Sequence, residues 1–283
     1  MQFDFVKMEG LGNDFVLIDD RDGNICSKID YGKLAEKLCS RHFGIGADGI
    51  MLILGSEKMD IRFRIFNSNG TEAEMCGNGI RCFAKYLFEK KIIGKKKFKV
   101  ETMAGTIIPE VITNNSGGVK SVMVDMGVPV LLPSKIVFKS VKDKAVNEPV
   151  IVHGRKIFLT AVSMGNPHAV IFVDDIERIN IEKRGREIET HAMFPEKTNV
   201  EFVQVLNIRE LKMRVWERGA GETMACGTGA CAAAVAANLN GKASNKVTVH
   251  LKGGDLQVEW DKITNHIYMT GSAVLVFKGS FIF

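Results

Sequence analysis

The sequence has no long hydrophobic run, no secretion-like start and no cysteine framework. A run of roughly 20 apolar residues, the length that crosses a bilayer, is absent. The first ten residues, MQFDFVKMEG, lack a basic segment followed by an apolar one, so no signal peptide is expected. Six cysteines in 283 residues are too few for a disulfide scaffold. We therefore expect a cytoplasmic protein with no membrane partner.

The cysteine spacing also argues against a structural zinc site. Cys76 is followed by Cys82 and Cys226 by Cys231, whereas zinc ribbons and fingers use Cys-x2-Cys pairs. Cys82 and Cys231 fall inside helical patterns, where cysteine usually behaves as a small buried hydrophobe. We expect no metal.

The charge of the chain is only mildly unbalanced, at +5. One cluster holds six lysines, at positions 90, 91, 95, 96, 97 and 99. Such a cluster can bind nucleic acid, but this one has no interleaved aromatic residues and straddles the end of a predicted helix. We interpret it as a solvated face and expect no nucleic-acid partner.

Two distant segments of the chain repeat one local design. The first runs from Asn69 to Gly79 (NGTEAEMCGNG), and the second from Gly219 to Gly229 (GAGETMACGTG). Each places a glutamate four residues before a cysteine, follows the cysteine with Gly-x-Gly, and then begins a helical pattern. The cysteines are Cys76 and Cys226. Packing alone gives no reason to repeat a whole loop, although two buried structural cysteines beside tight turns remain the alternative interpretation.

A cysteine at the start of a helix is suited to acid–base chemistry. The first N–H groups of a helix have no partner within it, and the helix dipole leaves partial positive charge there. That environment favours the thiolate, and the same N–H groups can hold a carboxylate. Flanking glycines let the backbone approach a ligand closely. Two such thiols suggest an enzyme that works on both faces of one small molecule.

Hydrophobic periodicity predicts a mixed α and β protein. At 283 residues it is long enough for one large domain or two of about 140 residues. Helices are predicted at 31–41, 77–90, 181–192 and 227–239, the last closed by Gly241 as a C-cap. Strands are predicted at 61–66, 98–103, 106–112, 120–126, 156–163, 168–173, 200–206, 211–216, 247–251, 255–260 and 272–278.

The pattern divides into two strand-rich halves, each wrapped on a helix that starts at its cysteine. A polar turn at 114–118 (NNSGG) marks either a boundary or only a hairpin. Small-ligand sites commonly lie between domains. We expect the two cysteines to face each other across such a cleft.

Five segments resemble the diaminopimelate epimerase family. They read MEGLGNDF at 8–15, the stretch from Phe66-Asn67 to Arg81-Cys82, MGNPH at 164–168, TNVEF at 198–202, and WERGAGETMACGTG at 216–229. They span the chain from its start to beyond residue 229. The related proline racemases share both Cys-Gly loops, but Glu-Arg-Gly-Ala-Gly-Glu-Thr before the second loop is not their pattern.

The resemblance implies an α/β (α+β) fold of two pseudo-symmetric lobes, each a curled, mostly antiparallel sheet around a central helix. The lobes would be residues 1–120 with 272–283, and residues 121–271. The implied activity is interconversion of L,L- and meso-diaminopimelate, in lysine and peptidoglycan-precursor biosynthesis, by two-base proton transfer. It implies a small amino-acid substrate, no cofactor (pyridoxal phosphate included) and a homodimer.

The resemblance also assigns residues. Cys76 and Cys226 would be catalytic, and the binding set would be Asn13, Asn67, Gly77, Asn78, Asn166, Asn199, Glu217, Arg218, Gly227 and Thr228. Arg218 can grip a carboxylate with two hydrogen bonds, Glu217 can pair with an ammonium, and amides both donate and accept. His168 is a secondary candidate near the reacting centre.

Three residues near these motifs need separate treatment. Glu72 and Glu222 are partners of the thiols or simply acids near a helix start, and we leave them outside the catalytic set. Some family members place a substrate-binding glutamine where this chain has Gly49. A backbone group or a water then replaces that contact, or the contact is missing.

Two other functions fit the paired cysteines. The same chemistry on proline or hydroxyproline would need no group to bind a distal amino-acid moiety. Alternatively, a binding or redox module would use Cys76 and Cys226 as a switchable disulfide.

Overall fold

The computed structural model describes residues 2–282, and the chain folds as two units. Unit 1 contains the residues up to Val124 and those from Gly271 onward, and unit 2 contains Asp125–Thr270. The prediction of a mixed α+β fold is confirmed.

The elements follow in chain order. The first part of the chain forms β1 (Gln2–Gly10), β2 (Asn13–Asp19), α1 (Tyr31–Cys39), β3 (Gly49–Leu54), β4 (Ile61–Asn67), β5 (Glu72–Ala73), α2 (Gly77–Glu89), β6 (Val100–Thr102), β7 (Gly105–Ile107), β8 (Glu110–Thr113) and β9 (Val119–Asp125). The remainder forms α3 (Pro133–Ile136), β10 (Glu148–Val152), β11 (Arg155–Ser163), β12 (Pro167–Phe172), a 3-10 turn (Ile176–Arg178), α4 (Ile181–Glu189), β13 (Asn199–Asn207), β14 (Glu210–Glu217), β15 (Gly221–Glu222), α5 (Gly227–Leu239), β16 (Lys246–Leu251), β17 (Gly254–Trp260), β18 (Ile267–Gly271) and β19 (Val274–Ile282).

Unit 1 is built on a sheet in the order β19-β1-β2-β3-β4-β6-β7, with β5 beside β4. Neighbours are antiparallel except at β2/β3 and β4/β6, which are parallel. Helix α2 packs on β1, β2, β3, β8 and β19. Strand β19, from the end of the chain, pairs with β1 at the edge of this sheet. The predicted final segment 272–283 ends at residue 283, which lies outside the described part of the chain.

Unit 2 repeats this plan. Its strand order is β10-β11-β12-β13-β14-β16-β17-β18, with β15 beside β14. The parallel pairs are β12/β13 and β14/β16, the counterparts of those in unit 1. Helix α5 packs on β11, β12, β13, β14, β16 and β17. Ala233 and Val235 in its middle are fully buried, as expected for an alanine-rich helix at the centre of a sheet.

The repeat is regular in sequence as well as in topology. Helices α1 and α4 start 150 residues apart, at Tyr31 and Ile181, and α2 and α5 do the same at Gly77 and Gly227. Positions in this part of unit 1 therefore correspond to positions 150 residues later in unit 2.

All four predicted long helices are present. The C-cap of α5 is Asn240, one residue before the predicted Gly241, which follows it at a φ of +66°. The strand predictions were less complete. The predicted strand 106–112 is two strands, β7 and β8, because Pro109 between them has no N–H for the ladder. Strands β1, β2, β3, β10 and β18 were missed, as were the two-residue strands β5 and β15. β3 reads GIMLIL, a continuous buried run without the alternation that identifies a half-exposed strand.

The polar turn at 114–118 is a hairpin between β8 and β9. The Asn114 side chain accepts from the N–H groups of Ser116 and Gly118, at 3.1 and 2.9 Å. The backbone N–H of Asn114 donates to the carbonyl of Gly118 at 2.8 Å. The two units separate after this hairpin.

Candidate active site

Each of the two singled-out cysteines is the N-cap of a central helix. Cys76 precedes α2 with extended backbone (φ −139°, ψ 119°), and Cys226 precedes α5 in the same conformation (φ −124°, ψ 113°). Each Sγ accepts a hydrogen bond from the N–H three residues later, of Gly79 or Gly229, at 3.4 Å. Thiols thus occupy the position usually filled by serine or aspartate, at a helix start, where the first N–H groups have no partner within the helix.

In unit 1, Cys76 is half-buried among amides. Its thiol donates to Asn13 Oδ1 at 3.8 Å, and Asn78 Nδ2 donates to the same oxygen at 3.2 Å. Asn13 starts β2 and Asn78 lies in the first turn of α2. The structure therefore joins three predicted site residues by direct hydrogen bonds.

A cluster of charged side chains holds the Asn13 side chain in place. Its Nδ2 donates to Asp48 Oδ2 at 2.7 Å, and Arg41 bridges Asp48 and Asp14 at 2.8 and 2.9 Å. Burial opposes the ionisation of Asp14, but hydrogen bonds and charge from Arg41 and Lys7 outweigh it and lower its pKa to about 2. Sequence patterns did not indicate this support, because Arg41 and Asp48 lie in a different segment from Asn13 and Asp14.

A buried arginine holds the loop after Cys76 in place. Arg81 is fully buried, and its guanidinium donates to the carbonyls of Gly77 and Ser272, at 3.0 and 3.2 Å. It also donates to Asn78 Oδ1 at 3.1 Å. With that oxygen engaged by Arg81 and its amide nitrogen on Asn13, the Asn78 side chain is held at both ends. An arginine within the buried face of a predicted helix was the signal that could have identified it.

In unit 2, Cys226 lies in more buried and more acidic surroundings. It is 6% exposed, and its Sγ lies 3.4 Å from Thr228 Oγ1. Burial raises the pKa of the Cys226 thiol well above its usual value, and the negative charges of Glu217 and Glu201 add to that effect. Hydrogen bonds from Thr228 and from the Gly229 N–H act in the opposite direction. The balance favours the protonated thiol.

Glu217, at the end of β14, is also shifted. Burial raises its pKa, and Glu201 adds to the rise, while the hydroxyl of Thr223, 2.5 Å from Oε1, opposes it. Asn67 occupies the corresponding end of β4 and donates to Thr71 Oγ1 at 3.0 Å. The predicted binding residues Asn67 and Glu217 are thus equivalent positions of the repeat.

Asn166 and His168 of the Met-Gly-Asn-Pro-His motif lie together at the start of β12. His168 is fully buried, and its Nε2 lies 3.0 Å from Asn166 Oδ1. Its Nδ1 lies 2.7 Å from Oε1 of Glu201, a fully buried carboxylate on β13. The motif residues were predicted, but Glu201 was not, because it read as part of an apolar strand.

Asn199 organises the neighbouring strand ends. Its Nδ2 donates to the carbonyl of Pro167, and its Oδ1 accepts from the backbone N–H of Arg218, both at 2.9 Å. The guanidinium of Arg218 is exposed and donates to the carbonyl of Glu196 at 3.1 Å. Asn199 therefore fixes the backbone from which Arg218 extends.

Gly49 is a glycine for a steric reason. It opens β3 opposite Asn67, and a Cβ at this position would come within 2.6 Å of the Phe66 carbonyl oxygen. A glutamine does not fit this backbone, so a side-chain contact from position 49 is missing.

Glu72 and Glu222 form ion pairs with arginines in the adjacent strand. Arg64 binds Glu72 through two nitrogens, at 2.6 and 2.8 Å, and Arg214 binds Glu222 at 2.8 Å. Each arginine precedes its glutamate by eight residues, so this pair is also part of the repeat. Both acids brace the loops that carry the cysteines.

The structure shows all six cysteines as free thiols. Within residues 2–282, no group of three or more His, Cys, Asp or Glu residues is arranged to hold a metal ion. Over the same range, no helix combines the length and the apolarity needed to cross a bilayer.

Comparison with known proteins gives consistent results. The sequence profile of the family described as "Diaminopimelate epimerase" matches residues 5–132 and 160–276. The diaminopimelate epimerase of Desulforapulum autotrophicum is 58% identical over 279 residues, covering 99% of both chains. That of Heliobacterium modesticaldum is 51% identical over 276 residues, covering 98% of both. In fold, the chain is similar to a Bacillus anthracis phenazine biosynthesis protein of the PhzF family, with a TM-score of 0.73 over 100% of both chains at 17% identity.

Proposed function

Because the chain belongs to the diaminopimelate epimerase family, we propose that Cys76 and Cys226 are the two acid–base groups of its reaction. The protein is an isomerase that interconverts L,L-diaminopimelate and meso-diaminopimelate. The observation that supports the proposal most directly is the repeated placement of a thiol as the N-cap of each unit's central helix.

Inverting an α-carbon requires loss of a proton from one face and gain of a proton on the other. A thiolate takes the α-proton, and the electron pair of the broken C–H bond moves into the adjacent carboxylate. The second cysteine then delivers its thiol proton to the opposite face. At the end, the thiol and thiolate have exchanged places, which prepares the enzyme for the reverse direction. Cys226, whose pKa is raised by burial, starts as the donor in the direction where Cys76 is the base.

The helix starts supply the charge stabilisation that this carbanion needs. Gly77 and Asn78 follow Cys76, and Gly227 and Thr228 follow Cys226, so N–H groups at both helix starts are available to the reacting carboxylate. Fixed dipoles aimed at developing charge lower the barrier without reorganisation. The scheme uses no cofactor.

The distal amino-acid group of the substrate is assigned to the remaining binding set. Arg218, exposed on a backbone fixed by Asn199, would bind the distal carboxylate, and Glu217 would bind the ammonium. Asn13, Asn67 and Asn166 supply further amide contacts. The two predicted lobes, residues 1–120 with 272–283 and residues 121–271, each contribute one thiol in this proposal. His168 acts next to the Cys226 side of the site.

The protein is further proposed to be a cytoplasmic homodimer acting in lysine and peptidoglycan-precursor biosynthesis. Strand β19 begins the strand order of the unit 1 sheet and exposes four apolar side chains, Val274, Val276, Phe277 and Ile282. An apolar edge strand of this kind is a template for pairing with another chain. Val276→Lys should shift the sedimenting species from dimer to monomer. A wild-type protein that sediments as a monomer at micromolar concentration would exclude the dimer.

The test of the reaction is a proton NMR time course with L,L-diaminopimelate in D2O. The wild-type protein should remove the α-proton signal and produce the meso form without added cofactor. Cys76→Ala and Cys226→Ala should each lower the rate of epimerisation by at least about a thousandfold, since each removes an obligatory proton carrier.

The matched controls are the two cysteines inside the same helices. Cys82 and Cys231 are fully buried and lie six and five residues after the proposed catalytic thiols. Cys82→Ala and Cys231→Ala should retain activity close to wild type. Near-normal epimerisation by Cys226→Ala would contradict the proposal, and so would equal rates with proline and diaminopimelate.

A further inference from the structure

A buried carboxylate next to the Cys226 helix is only half satisfied. Glu201 is 0% exposed, and its Oε1 lies 2.7 Å from His168 Nδ1. Within residues 2–282, its Oε2 is the one buried side-chain oxygen or nitrogen without a hydrogen-bond partner. An unsatisfied buried carboxylate oxygen is costly, and such exceptions in a folded protein call for a specific explanation.

The internal repeat shows that the fold does not need this pair. His168 pairs with Asn199 across the parallel ladder of unit 2, as Phe15 pairs with Gly49 in unit 1. Glu201 lies opposite Val215, as Met51 lies opposite Ile65. The positions of His168 and Glu201 are therefore held by Phe15 and Met51 in unit 1. There, both residues are apolar, and Met51 lies beneath the start of α2, where a Cβ at Gly79 would come within 3.1 Å of its sulfur.

The hydrogen bonds of His168 link Glu201 to a binding residue. The ring nitrogen Nε2 lies 3.0 Å from Asn166 Oδ1. An amide oxygen only accepts, so Nε2 carries a hydrogen and donates it. This bond turns the amide nitrogen of Asn166, the donor end, away from the ring. A carboxylate of the substrate requires a donor of this kind.

We propose that Glu201 is a positioning residue for substrate binding. By holding Nδ1 of His168, it fixes the imidazole ring so that Nε2–H keeps the Asn166 amide oriented to donate to a substrate carboxylate. The inference rests on the proposed function, because it takes Asn166 as part of the binding set. Glu201 itself does not touch the substrate in this scheme.

A second way for Glu201 to act is through its charge alone. A Cβ at Gly229 would come within 2.8 Å of Glu201 Oε1, so the carboxylate reaches the first turn of α5. There it is close enough to affect the Cys226 thiol directly. Two substitutions distinguish an effect of the Glu201 hydrogen bond to His168 from an effect of the Glu201 charge on Cys226. Glu201→Gln keeps the size of the side chain and a polar group that can hydrogen-bond Nδ1, but it removes the charge. Glu201→Met introduces the residue that unit 1 has at this position and removes both the charge and the hydrogen-bonding group.

The kinetic test compares both variants with wild type on L,L-diaminopimelate. Glu201→Met should raise KM about tenfold with a smaller change in kcat, the result of a loosened binding contact. Glu201→Gln should keep KM and kcat within about threefold of wild type, because one hydrogen bond to the ring is retained. The matched control, Glu259→Met, removes an exposed carboxylate paired with Lys246 on the same unit and should behave as wild type.

Equal losses in Glu201→Gln and Glu201→Met would overturn the proposal, because charge and not hydrogen bonding would then be responsible. An unchanged KM in folded Glu201→Met would overturn it as well. Should Glu201→Met fail to fold, as judged by circular dichroism, the Glu201→Gln comparison and the measurement below still decide.

The structural test is 15N NMR of histidine-labelled protein, which requires no turnover. In the wild type, His168 should show a proton on Nε2 and a slowly exchanging hydrogen-bonded proton at Nδ1. Glu201→Gln should preserve a slowly exchanging hydrogen bond at this ring, and Glu201→Met should lose the one at Nδ1. Absence of the Nε2 proton in the wild type would refute the positioning role. Failure of wild-type epimerisation would instead refute the proposed function, so the two failures are distinguishable.

Discussion

The central helices of the two units begin in the same way but lie in different surroundings. Helix α2 is amphipathic and reaches the surface at Glu89, which pairs with the partly buried Lys85 at 2.7 Å. Helix α5 is buried on nearly every side, and Val235, at the position of Lys85, is 0% exposed. One backbone plan therefore tolerates a half-solvated and a buried central helix.

The two thiols also differ in how deeply they are buried and in the charges around them. In unit 1, Cys76 donates to the amide of Asn13, which also accepts from the amide of Asn78. Asp14, Arg41 and Asp48 form an ionic cluster next to Asn13. In unit 2, carboxylates lie near the more deeply buried Cys226. A repeated fold thus places two thiols in different surroundings, and in unit 2 burial and nearby negative charge raise the pKa of Cys226.

The largest expected effect on stability comes from giving α5 the lysine that α2 has at the equivalent position. Val235→Lys would bury an ammonium without a partner, so we expect it to lower the free energy of unfolding by roughly 4 kcal/mol or more. Urea denaturation followed by circular dichroism measures the change. The reverse substitution, Lys85→Val, removes the ion pair with Glu89 and a hydrogen bond to the Val119 carbonyl, and should cost at most roughly 2 kcal/mol, less than Val235→Lys. Comparable losses for both would show that α5 is not the more constrained helix.

The ionic cluster of unit 1 can be tested through pH. Asp14 has a pKa of about 2, below its unfolded value, so its charge stabilises the fold above about pH 4 and this contribution is lost as the pH falls through 2. Asp14→Asn should therefore cost roughly 2 kcal/mol at neutral pH and progressively less on acidification. Asp19→Asn, which removes an exposed partner of Arg21, serves as the control and should cost under about 0.5 kcal/mol. A pH-independent cost for Asp14→Asn would contradict the assignment.

The negative charge near Cys226 can be tested at Glu217 and at Asn67, the equivalent position of unit 1. Glu217→Gln removes a charge that raises the pKa of Cys226, so alkylation of Cys226 by iodoacetamide near about pH 8 should become roughly tenfold faster. Asn67→Asp places a carboxylate at the equivalent position of unit 1, and we expect it to slow the alkylation of Cys76. Peptide mass spectrometry measures both rates, with exposed Cys26 as the internal reference. A Cys226 rate unchanged by Glu217→Gln would show that burial alone sets its reactivity.

The smallest expected effect on stability comes from copying the unit 1 pair into unit 2. His168→Phe with Glu201→Met reproduces Phe15 and Met51, and replacing both members of a buried polar pair by apolar residues is often neutral. We expect the free energy of unfolding to change by less than about 1 kcal/mol while epimerisation falls. Glu201→Met alone should be less stable than the double variant, since it leaves His168 without its partner. A double variant that loses most of its stability would show that the fold requires His168 and Glu201.

Local residue patterns predicted much of the fold and part of the site. The Gly-x-Gly after each cysteine and the apolar spacing that follows located α2 and α5, because helix starts depend on neighbouring residues. Strands such as β3 and β1 were not located. Their residues are buried by contact with other segments, so the sequence shows no regular alternation.

The sequence by itself determined the duplicated cysteine loops, the helices they start and the family to which the chain belongs. These follow from residues close together in the chain. Only the tertiary structure decided that Asp48 supports Asn13, that Arg81 holds Asn78, and that Glu201 contacts His168. The first and third of these contacts join residues more than 30 positions apart, and for the second the sequence showed only an arginine on the buried face of a predicted helix and not its partners. Strand register and burial set such contacts, and neither is encoded in any single segment.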